Sequence, residues 1–225
     1  MRKKILIVGA VVALILLLDQ LIKVWVKTTF VPHEEVKVFG NWFKLLYIEN
    51  QGMAFGTTFG AGMWAKLSLS IFRIIAISAI AYYWVKQAKA GAKLEFLVVI
   101  GIIFAGATGN LIDSMCYDFI FPYDPCQLFN HAQGSGVVSD CGFFGKIETR
   151  HTGFLLGNVV DMFQFNLTWP SWMPWLGGKD IFPAIWNVAD GAITVGVLMI
   201  LVRQRKYFPK VKKSKGVNPF TGEES

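Results

Sequence analysis

Four long apolar stretches constrain the fold of this chain more than any other feature of its sequence. They occupy residues 5–26, 63–85, 94 to about 112, and 184–202. A helix needs about 20 mostly apolar residues to cross the hydrocarbon core of a bilayer, and each stretch is close to that length. With 54% hydrophobic residues, the chain is too apolar for an ordinary soluble domain. We therefore predict an all-α membrane protein with four transmembrane helices.

Positive residues beside these stretches predict the topology. Three basic groups stand out: Arg2, Lys3 and Lys4; Lys86, Lys89 and Lys93; and the run 203–215. Because cytoplasmic loops are enriched in Lys and Arg, we predict that both termini are cytoplasmic. Connections 27–62 and 114–183 then lie on the outer side. The formal charge of +7 is explained by this orientation, so we expect no nucleic-acid partner.

The first apolar stretch follows a basic N-terminus, as a secretory signal does. It is longer than the usual apolar region of a signal, contains Asp19 and lacks a clear small-residue cleavage site. We interpret it as an uncleaved membrane anchor. Residues 1–209 then form one membrane domain, and the basic and polar tail 210–225 is expected to be disordered.

The first outer connection contains a segment with loosely alternating polarity, residues 36–48, interrupted by the turn-forming pair Gly40 and Asn41. This pattern predicts a short β-hairpin. Unpaired strand edges are costly in hydrocarbon, so the hairpin should rest at the membrane surface. We predict a small extracytoplasmic β platform beside the helix ends.

The second outer connection is long and holds all the cysteines of the chain, Cys116, Cys126 and Cys141. We treat residues 115–157 as an insertion. Thiols on the outer side meet an oxidising environment, and three cysteines allow at most one internal disulfide, whose partners the sequence does not identify. His131 and His151 match no compact zinc-binding spacing. We therefore expect no metal and no other cofactor.

Ionisable side chains in membrane segments are expensive and indicate functional sites. Five such residues need an explanation: Asp19, Lys23, Arg73, Asp113 and Asp190. Since successive helices alternate in direction, Asp19, Asp113 and Asp190 should reach a similar depth near the outer side. Asp161, in the second outer connection, could meet them there.

Two of these aspartates follow an asparagine by three residues: Asn110 precedes Asp113, and Asn187 precedes Asp190. On a helix this spacing places both side chains on one face, so each amide could orient its carboxylate. Gly106 and Gly109 would let another helix or a substrate approach closely. The alternative is that these groups are only polar packing contacts between helices.

The cations of the apolar stretches have different expected roles. Asp19 and Lys23 are four residues apart and are expected to pair across one helical turn in a structural role, or to bind a lipid head group. Arg73 lies midway along the second stretch and must find a carboxylate, a carbonyl or water. Its partner cannot be predicted from the sequence.

Two aspartates held a few ångströms apart cannot both be ionised, so such a pair shares a proton. The ionised partner can take a proton from water, while the protonated one hydrogen-bonds a scissile carbonyl. This is aspartic-protease chemistry, and no Ser-x-x-Lys, Gly-x-Ser-x-Gly or His-Glu-x-x-His pattern indicates another hydrolase. A small proton-coupled carrier or channel, or a non-catalytic scaffold, is the alternative. The absence of an internal repeat weakens the transporter hypothesis.

Five short segments, in register with this topology, resemble the motif series of the lipoprotein signal peptidases, also called signal peptidase II. They are DQLIK at 19–23, NQGMAFG at 50–56, GNLID at 109–113, VVDMF at 159–163 and FPAIWNVAD at 182–190. The resemblance implies a bacterial inner-membrane enzyme, which we expect to be a monomer without a cofactor. Its substrates would be prolipoproteins, cut before the diacylglyceryl-modified cysteine, its surroundings membrane lipids, and its inhibitors of the globomycin type.

The same resemblance assigns roles to particular residues. It implies that Asp161 and Asp190 form the catalytic dyad, a choice that the residues alone did not make over Asp113. By the same similarity, Asn50 and Gly52 lie in the substrate pocket. Supporting roles follow for Asn110, Asp113, Asn187 and Asp19.

The chain departs from the family pattern in two places. Members commonly carry Arg directly after the aspartate of the GNLID motif, whereas this chain has Ser114. Arg73 is our candidate to replace that cation. The second departure is the insertion at 115–157, for which a lid, a docking surface and a branch-specific addition are all open.

Overall fold

The computed structural model describes residues 1–51 and 62–208. Gly52, the rest of the NQGMAFG motif and the tail 210–225 therefore lie outside the described residues. The described residues form five α-helices: α1 Arg2–Thr29, α2 Met63–Lys89, α3 Leu94–Ile120, α4 Val188–Val202 and α5 Gln204–Tyr207. The same residues form six strands: β1 Glu35–Phe39, β2 Phe43–Asn50, β3 Val138–Asp140, β4 Lys146–Glu148, β5 Val159–Phe165 and β6 Ile185–Trp186.

Three of the four predicted spans form helices that are long and apolar enough to cross a membrane, namely α1, α2 and α3. In the most apolar 18-residue segment of α1 and of α2, 11% of the residues are buried. In the corresponding segment of α3, 56% are buried. Helices that are apolar all round yet exposed are typical of lipid-facing spans. Of these three helices, α1 and α2 are thus peripheral and α3 is central.

The fourth apolar stretch folds differently from its prediction. Ile185–Trp186 joins the sheet as β6, and α4 begins at Val188 with Asn187 as its N-cap. The helix has 15 residues and is therefore about 22 Å long. The predicted span of 184–202 was too long because its first residues form a strand and a helix cap.

Close packing of α4 on α3 depends on two glycines. A Cβ atom at Gly106 would lie 2.3 Å from the backbone oxygen of Ala189, and one at Gly109 would lie 2.6 Å from Asp19 Oδ2. The prediction that these glycines allow a close approach is confirmed, and the approaching groups are α4 and the Asp19 carboxylate.

The predicted hairpin is confirmed as β1 and β2, with Gly40 at a φ of 53° in the turn between them. The sheet extends further than predicted, in the order β1-β2-β5-β6, and all its pairings are antiparallel. Val160 and Met162 of β5 pack into a buried cluster with Val26 of α1. Since neighbouring side chains on a strand face opposite ways, Asp161 lies on the other side of the sheet.

A disulfide and a buried ion pair stabilise the insertion at 115–157. A disulfide joins Cys126 to Cys141, while Cys116 is a free thiol. Arg150, which is 4% exposed, forms a two-pronged ion pair with Asp118 near the end of α3, at 2.7 and 2.9 Å. The insertion thus packs against the end of α3.

The two histidines of the insertion contact backbone carbonyl groups within the insertion. A ring nitrogen of His131 lies 3.2 Å from the carbonyl oxygen of Cys126, and one of His151 lies 3.2 Å from that of Ser135. Within residues 1–51 and 62–208 there is no group of three or more His, Cys, Asp and Glu side chains suited to a metal ion.

Candidate active site

Asn187 contacts both aspartates of the dyad that the family resemblance implied. Its side-chain amide donates a hydrogen bond to Asp161 Oδ1 at 2.7 Å. Its side-chain oxygen accepts from the backbone N–H of Asp190 at 2.9 Å, and Asp190 Oδ2 accepts from the Asn187 backbone N–H at 3.3 Å. Asn187 is fully buried. Asp161 from the sheet and Asp190 from α4 therefore lie on either side of one buried amide.

The pairing of Asn187 with Asp190 arises from a helix cap. Both residues were expected on one face of a helix, but Asn187 has extended backbone and caps the N-terminus of α4. The reciprocal bonds form a capping box, in which two otherwise unpaired helix N–H groups are satisfied. The cap fixes the Asp190 side chain at the start of α4, where the helix dipole favours negative charge.

Asn110 connects Asp190 to the rest of the site. Its amide donates to Asp190 Oδ1 at 2.8 Å, and its side-chain oxygen accepts from Lys23 at 2.9 Å and from Asn187 at 3.1 Å. These acceptor roles leave one orientation for the Asn110 amide. The sequence paired Asn110 with Asp113, whereas the structure pairs it with Asp190.

Asp161 is buried, with 2% of its surface exposed. Burial disfavours its charged form, the nearby Asp190 adds repulsion, and together they raise the pKa of Asp161 to about 8. Asn50 also donates to Asp161, at 3.3 Å, from the end of β2. At neutral pH Asp161 is therefore suited to hold a proton.

Asp19, Lys23 and Asp113 form a second, fully buried cluster beneath the dyad. The Lys23 ammonium lies 3.0 Å from Asp19 and 2.8 Å from Asp113, which confirms the expected pairing of Asp19 with Lys23. With Asn110 as the third acceptor, all three ammonium hydrogens have a partner. Asp19 also accepts from the backbone N–H of Ala189, in the first turn of α4.

Asp113 is occupied by structural partners. One oxygen accepts from Lys23 and from the backbone N–H of Val160, and the other accepts from Gln20 at 3.0 Å. Gln20 was not singled out in the sequence, although it lies within the DQLIK segment. Asp113 thus ties α1 and α3 to β5 one residue before Asp161.

Arg73 of α2 reaches α3 at the position where the sequence departs from the family pattern. Its guanidinium donates to Ser114 Oγ at 3.2 Å. One partner of Arg73 that the sequence could not identify is therefore a hydroxyl on α3, directly after Asp113.

A comparison with known protein families decides to which family the chain belongs. Residues 11–205 match the family model of signal peptidase (SPase) II. The chain belongs to the signal peptidase II family. The family that the five motifs predicted is therefore confirmed, and with it a membrane enzyme of the aspartic-protease type.

The names of two similar proteins agree with the assignment to the signal peptidase II family. The lipoprotein signal peptidase of Porphyromonas gingivalis is 38% identical over 202 residues, which cover 87% of this chain and 81% of the relative. That of Amoebophilus asiaticus is 33% identical over 214 residues, covering 91% and 80%. A carrier or a scaffold is not favoured by these relationships.

Solved structures support the fold of the family. Two bacterial membrane enzymes align with this chain at TM-scores of 0.57 and 0.56, with 22% and 23% sequence identity. The alignments cover 95% and 92% of this chain and 94% of each of the two structures. The arrangement of apolar helices around a small sheet is thus shared with enzymes embedded in bacterial membranes.

Proposed function

We propose that this chain removes signal peptides from prolipoproteins by cutting the peptide bond before the diacylglyceryl-modified cysteine. The observation that carries the proposal is that Asn187 contacts both carboxyl groups: its side-chain amide donates to Asp161, and its backbone N–H donates to Asp190. It supports two carboxyl groups acting on one substrate bond, as aspartic-protease chemistry requires. The names of the relatives support prolipoproteins as the substrate class.

The surroundings of the two aspartates support different roles for them. Asp190 accepts hydrogen bonds from Asn110 and from the Asn187 backbone, and it lies in the first turn of α4. Each of these features stabilises a negative charge. Asp161 is buried in the sheet, and its pKa is raised to about 8. We therefore assign the general base to Asp190 and the proton to Asp161.

The reaction follows from these assignments. Asp190 takes a proton from water while the water oxygen bonds to the scissile carbonyl carbon, and Asp161 donates a hydrogen bond to the carbonyl oxygen. The tetrahedral intermediate collapses as the carbon–nitrogen bond breaks, and Asp190 returns its proton to the leaving amine. The products are the signal peptide, with a new carboxyl terminus, and a lipoprotein whose cysteine has a free amino group.

The contacts of Asp113 argue against its membership of the dyad. Both of its oxygens are engaged by Lys23, Gln20 and a backbone N–H. A carboxyl group whose two oxygens already accept from three donors has little capacity left for a substrate or water. We therefore propose a supporting role for Asp113 and likewise for Asp19, Asn110 and Asn187.

We further propose that α4 completes a fourth crossing and that both termini are cytoplasmic. The active site would then lie at the periplasmic side of the inner membrane, within a domain of residues 1–209. A substrate anchored by its diacylglyceryl group meets carboxylates at this depth without leaving the bilayer. The exposed rings of Trp172 and Trp175 suit the lipid–water interface. We expect the protein to be a monomer and globomycin-type inhibitors to block its activity. We also expect Asn50 and Gly52 to lie in the substrate pocket.

The proposal is tested with purified protein in detergent and a diacylglyceryl-modified prolipoprotein. We expect the wild type to release the signal peptide, and Asp161→Asn and Asp190→Asn to fold but to lose at least about a thousandfold in kcat/KM. Asp180→Asn, at an exposed aspartate, is the matched control and should retain activity. Retained cleavage by either dyad variant would remove that residue from the dyad. No cleavage by the wild type would favour a carrier or scaffold.

A further inference from the structure

The start of β5 is held by a continuous chain of polar side chains that the proposed peptidase chemistry does not use. Asn158, the residue directly before β5, accepts a hydrogen bond from the Lys66 ammonium of α2 at 2.6 Å. Its own amide donates to the side-chain oxygen of Asn130 in the insertion at 3.0 Å. Since Asn158 precedes Asp161 by three positions, these contacts reach the segment that carries one member of the dyad.

Beyond Asn130, the polar chain continues to the end of α3. The side-chain oxygen of Asn130 also accepts from Nε of Arg150 at 2.7 Å, and Arg150 forms the ion pair with Asp118. Asn130, Arg150 and Asn158 are all buried. Buried side chains that are hydrogen-bonded to one another in this way make the surrounding structure rigid. Asn158 is therefore fixed between α2 and α3, with the insertion as the connecting part.

The same part of the insertion also contacts the strand that pairs with β5. The side-chain amide of Gln51, directly after β2, donates to the backbone carbonyls of Phe129 and His131 at 3.4 and 3.3 Å. Asn50, the last residue of β2, is the register partner of Val159, the first residue of β5. This part of the insertion thus contacts the end of one central strand of the sheet and, through the polar chain, the start of the other.

We propose that Asn158 is a positioning residue, through which Lys66 and the insertion hold Asp161 in the geometry that the reaction needs. The inference rests on the proposed peptidase activity and gives the insertion a role in it. The two residues between Asn158 and Asp161 belong to β5, so a shift at the start of this strand would be passed on to the Asp161 carboxyl. A displacement of about 1 Å at a reacting group can cost roughly a hundredfold in rate.

The test compares substitutions in the polar chain with one beside it. Asn158→Leu keeps a similar side-chain volume and removes both hydrogen bonds, while Lys66→Met removes one of them and the charge. Ser139→Ala is the matched control, because it removes a hydrogen bond to Thr149 that lies within the insertion and outside the polar chain. This control should cleave at the wild-type rate.

Cleavage of the diacylglyceryl-modified prolipoprotein is measured per mole of folded enzyme, taken from a single size-exclusion peak, and kcat and KM are determined separately. We expect kcat to fall roughly 30-fold in Asn158→Leu and roughly tenfold in Lys66→Met. KM should stay within about twofold of the wild type, because a misplaced acid weakens the transition state more than substrate binding. The double variant should lose no more than Asn158→Leu alone, since both substitutions break the same contact.

The outcomes are distinguishable. A purely structural role would lower the thermal midpoint in detergent and leave kcat of the folded enzyme unchanged, and an unchanged kcat overturns the inference whatever happens to KM. An equal loss in Ser139→Ala, or losses that simply add in the double variant, also overturn it. If Asn158→Leu does not fold, Lys66→Met, at a half-buried residue, decides in its place. A wild type that fails to cleave refutes the peptidase proposal instead.

Discussion

The amide of Asn187 donates to Asp161 across 2.7 Å, and this contact connects strand β5 to the N-terminal cap of α4. Asn187 is therefore expected to act both on the stability of α4 and on the geometry of the reaction. Two substitutions separate these contributions.

Asn187→Ser keeps a side-chain oxygen that can cap α4 but removes the amide donor to Asp161. Loss of a hydrogen bond to a charged or strongly polar group costs about 1.5–3 kcal/mol, which corresponds to roughly 10- to 100-fold in rate. We expect kcat/KM to fall by that factor with near-normal thermal stability. In Asn187→Ala we expect kcat/KM to fall by the same factor. This variant also loses the side-chain cap of α4, so its free energy of unfolding should fall by about 1 kcal/mol. Wild-type rates in Asn187→Ser would exclude a role for the bridge in catalysis.

The alkaline limb of the activity profile should report Asp161. Its pKa of about 8 reflects burial and the neighbouring Asp190. The reaction needs its proton, so kcat/KM should decline as the pH rises through about 8. Steady-state rates in buffers between pH 5.5 and pH 9.5 (roughly two units either side of neutrality) check this. An activity that keeps rising throughout that range contradicts the assignment of the acid.

Stability should also depend on pH through Asp161. In the unfolded chain an aspartate titrates near about 3.9, well below the folded value of about 8. Between these values the folded protein holds a proton that the unfolded chain has lost. The free energy of unfolding therefore decreases as the pH rises from about 4 to about 8. Asp161→Asn cannot lose this proton, so its thermal midpoint should fall less over the same interval.

The helix contact at Gly106 should tolerate no added methyl group. An alanine there would place Cβ 2.3 Å from the Ala189 carbonyl oxygen, a backbone atom that cannot rotate away. Overpacking of this kind costs about 1–3 kcal/mol, and we expect Gly106→Ala to lower the thermal midpoint and the activity together. Gly9→Ala is the matched control, because a Cβ at Gly9 on α1 meets nothing within 4 Å. Equal midpoints for the two variants would contradict the packing described for α3 and α4.

Lys23 should be indispensable for folding. Its removal in Lys23→Met leaves Asp19 and Asp113 buried without their shared cation, and breaking a buried pair in this way costs about 3–5 kcal/mol. We expect a low yield of folded protein. Adding Asp113→Asn should recover part of the loss, since one buried charge is then absent. Lys89→Met, at an exposed lysine near the end of α2, should behave like the wild type.

The sequence predicted the elements whose signals are local. Runs of apolar residues marked the helices, Gly40 and Asn41 marked the turn of the hairpin, and the spacing of Asp19 and Lys23 marked an ion pair. Each of these depends on residues within a turn or two of one another. Such signals can be read without knowing the fold.

The contacts that build the candidate site are not local, and sequence alone did not yield them. Asp161 pairs with Asn187 from 26 residues away, and Arg73 reaches Ser114 across 41 residues. β5 escaped prediction because VVDMF lacks a clean alternation of apolar and polar residues. The disulfide partners could not be chosen because three pairings were possible and spacing favours none of them.

The shortness of α4 has a consequence for the lipids around the enzyme. As a fourth crossing of about 22 Å, it would be several ångströms shorter than a hydrocarbon core of about 30 Å. Bilayer thickness, set by acyl-chain length, would then determine the height of Asp190 relative to the sheet that holds Asp161. In reconstituted vesicles we expect turnover to be faster with short-chain phospholipids than with long-chain ones, which makes the surrounding membrane a regulator of the dyad.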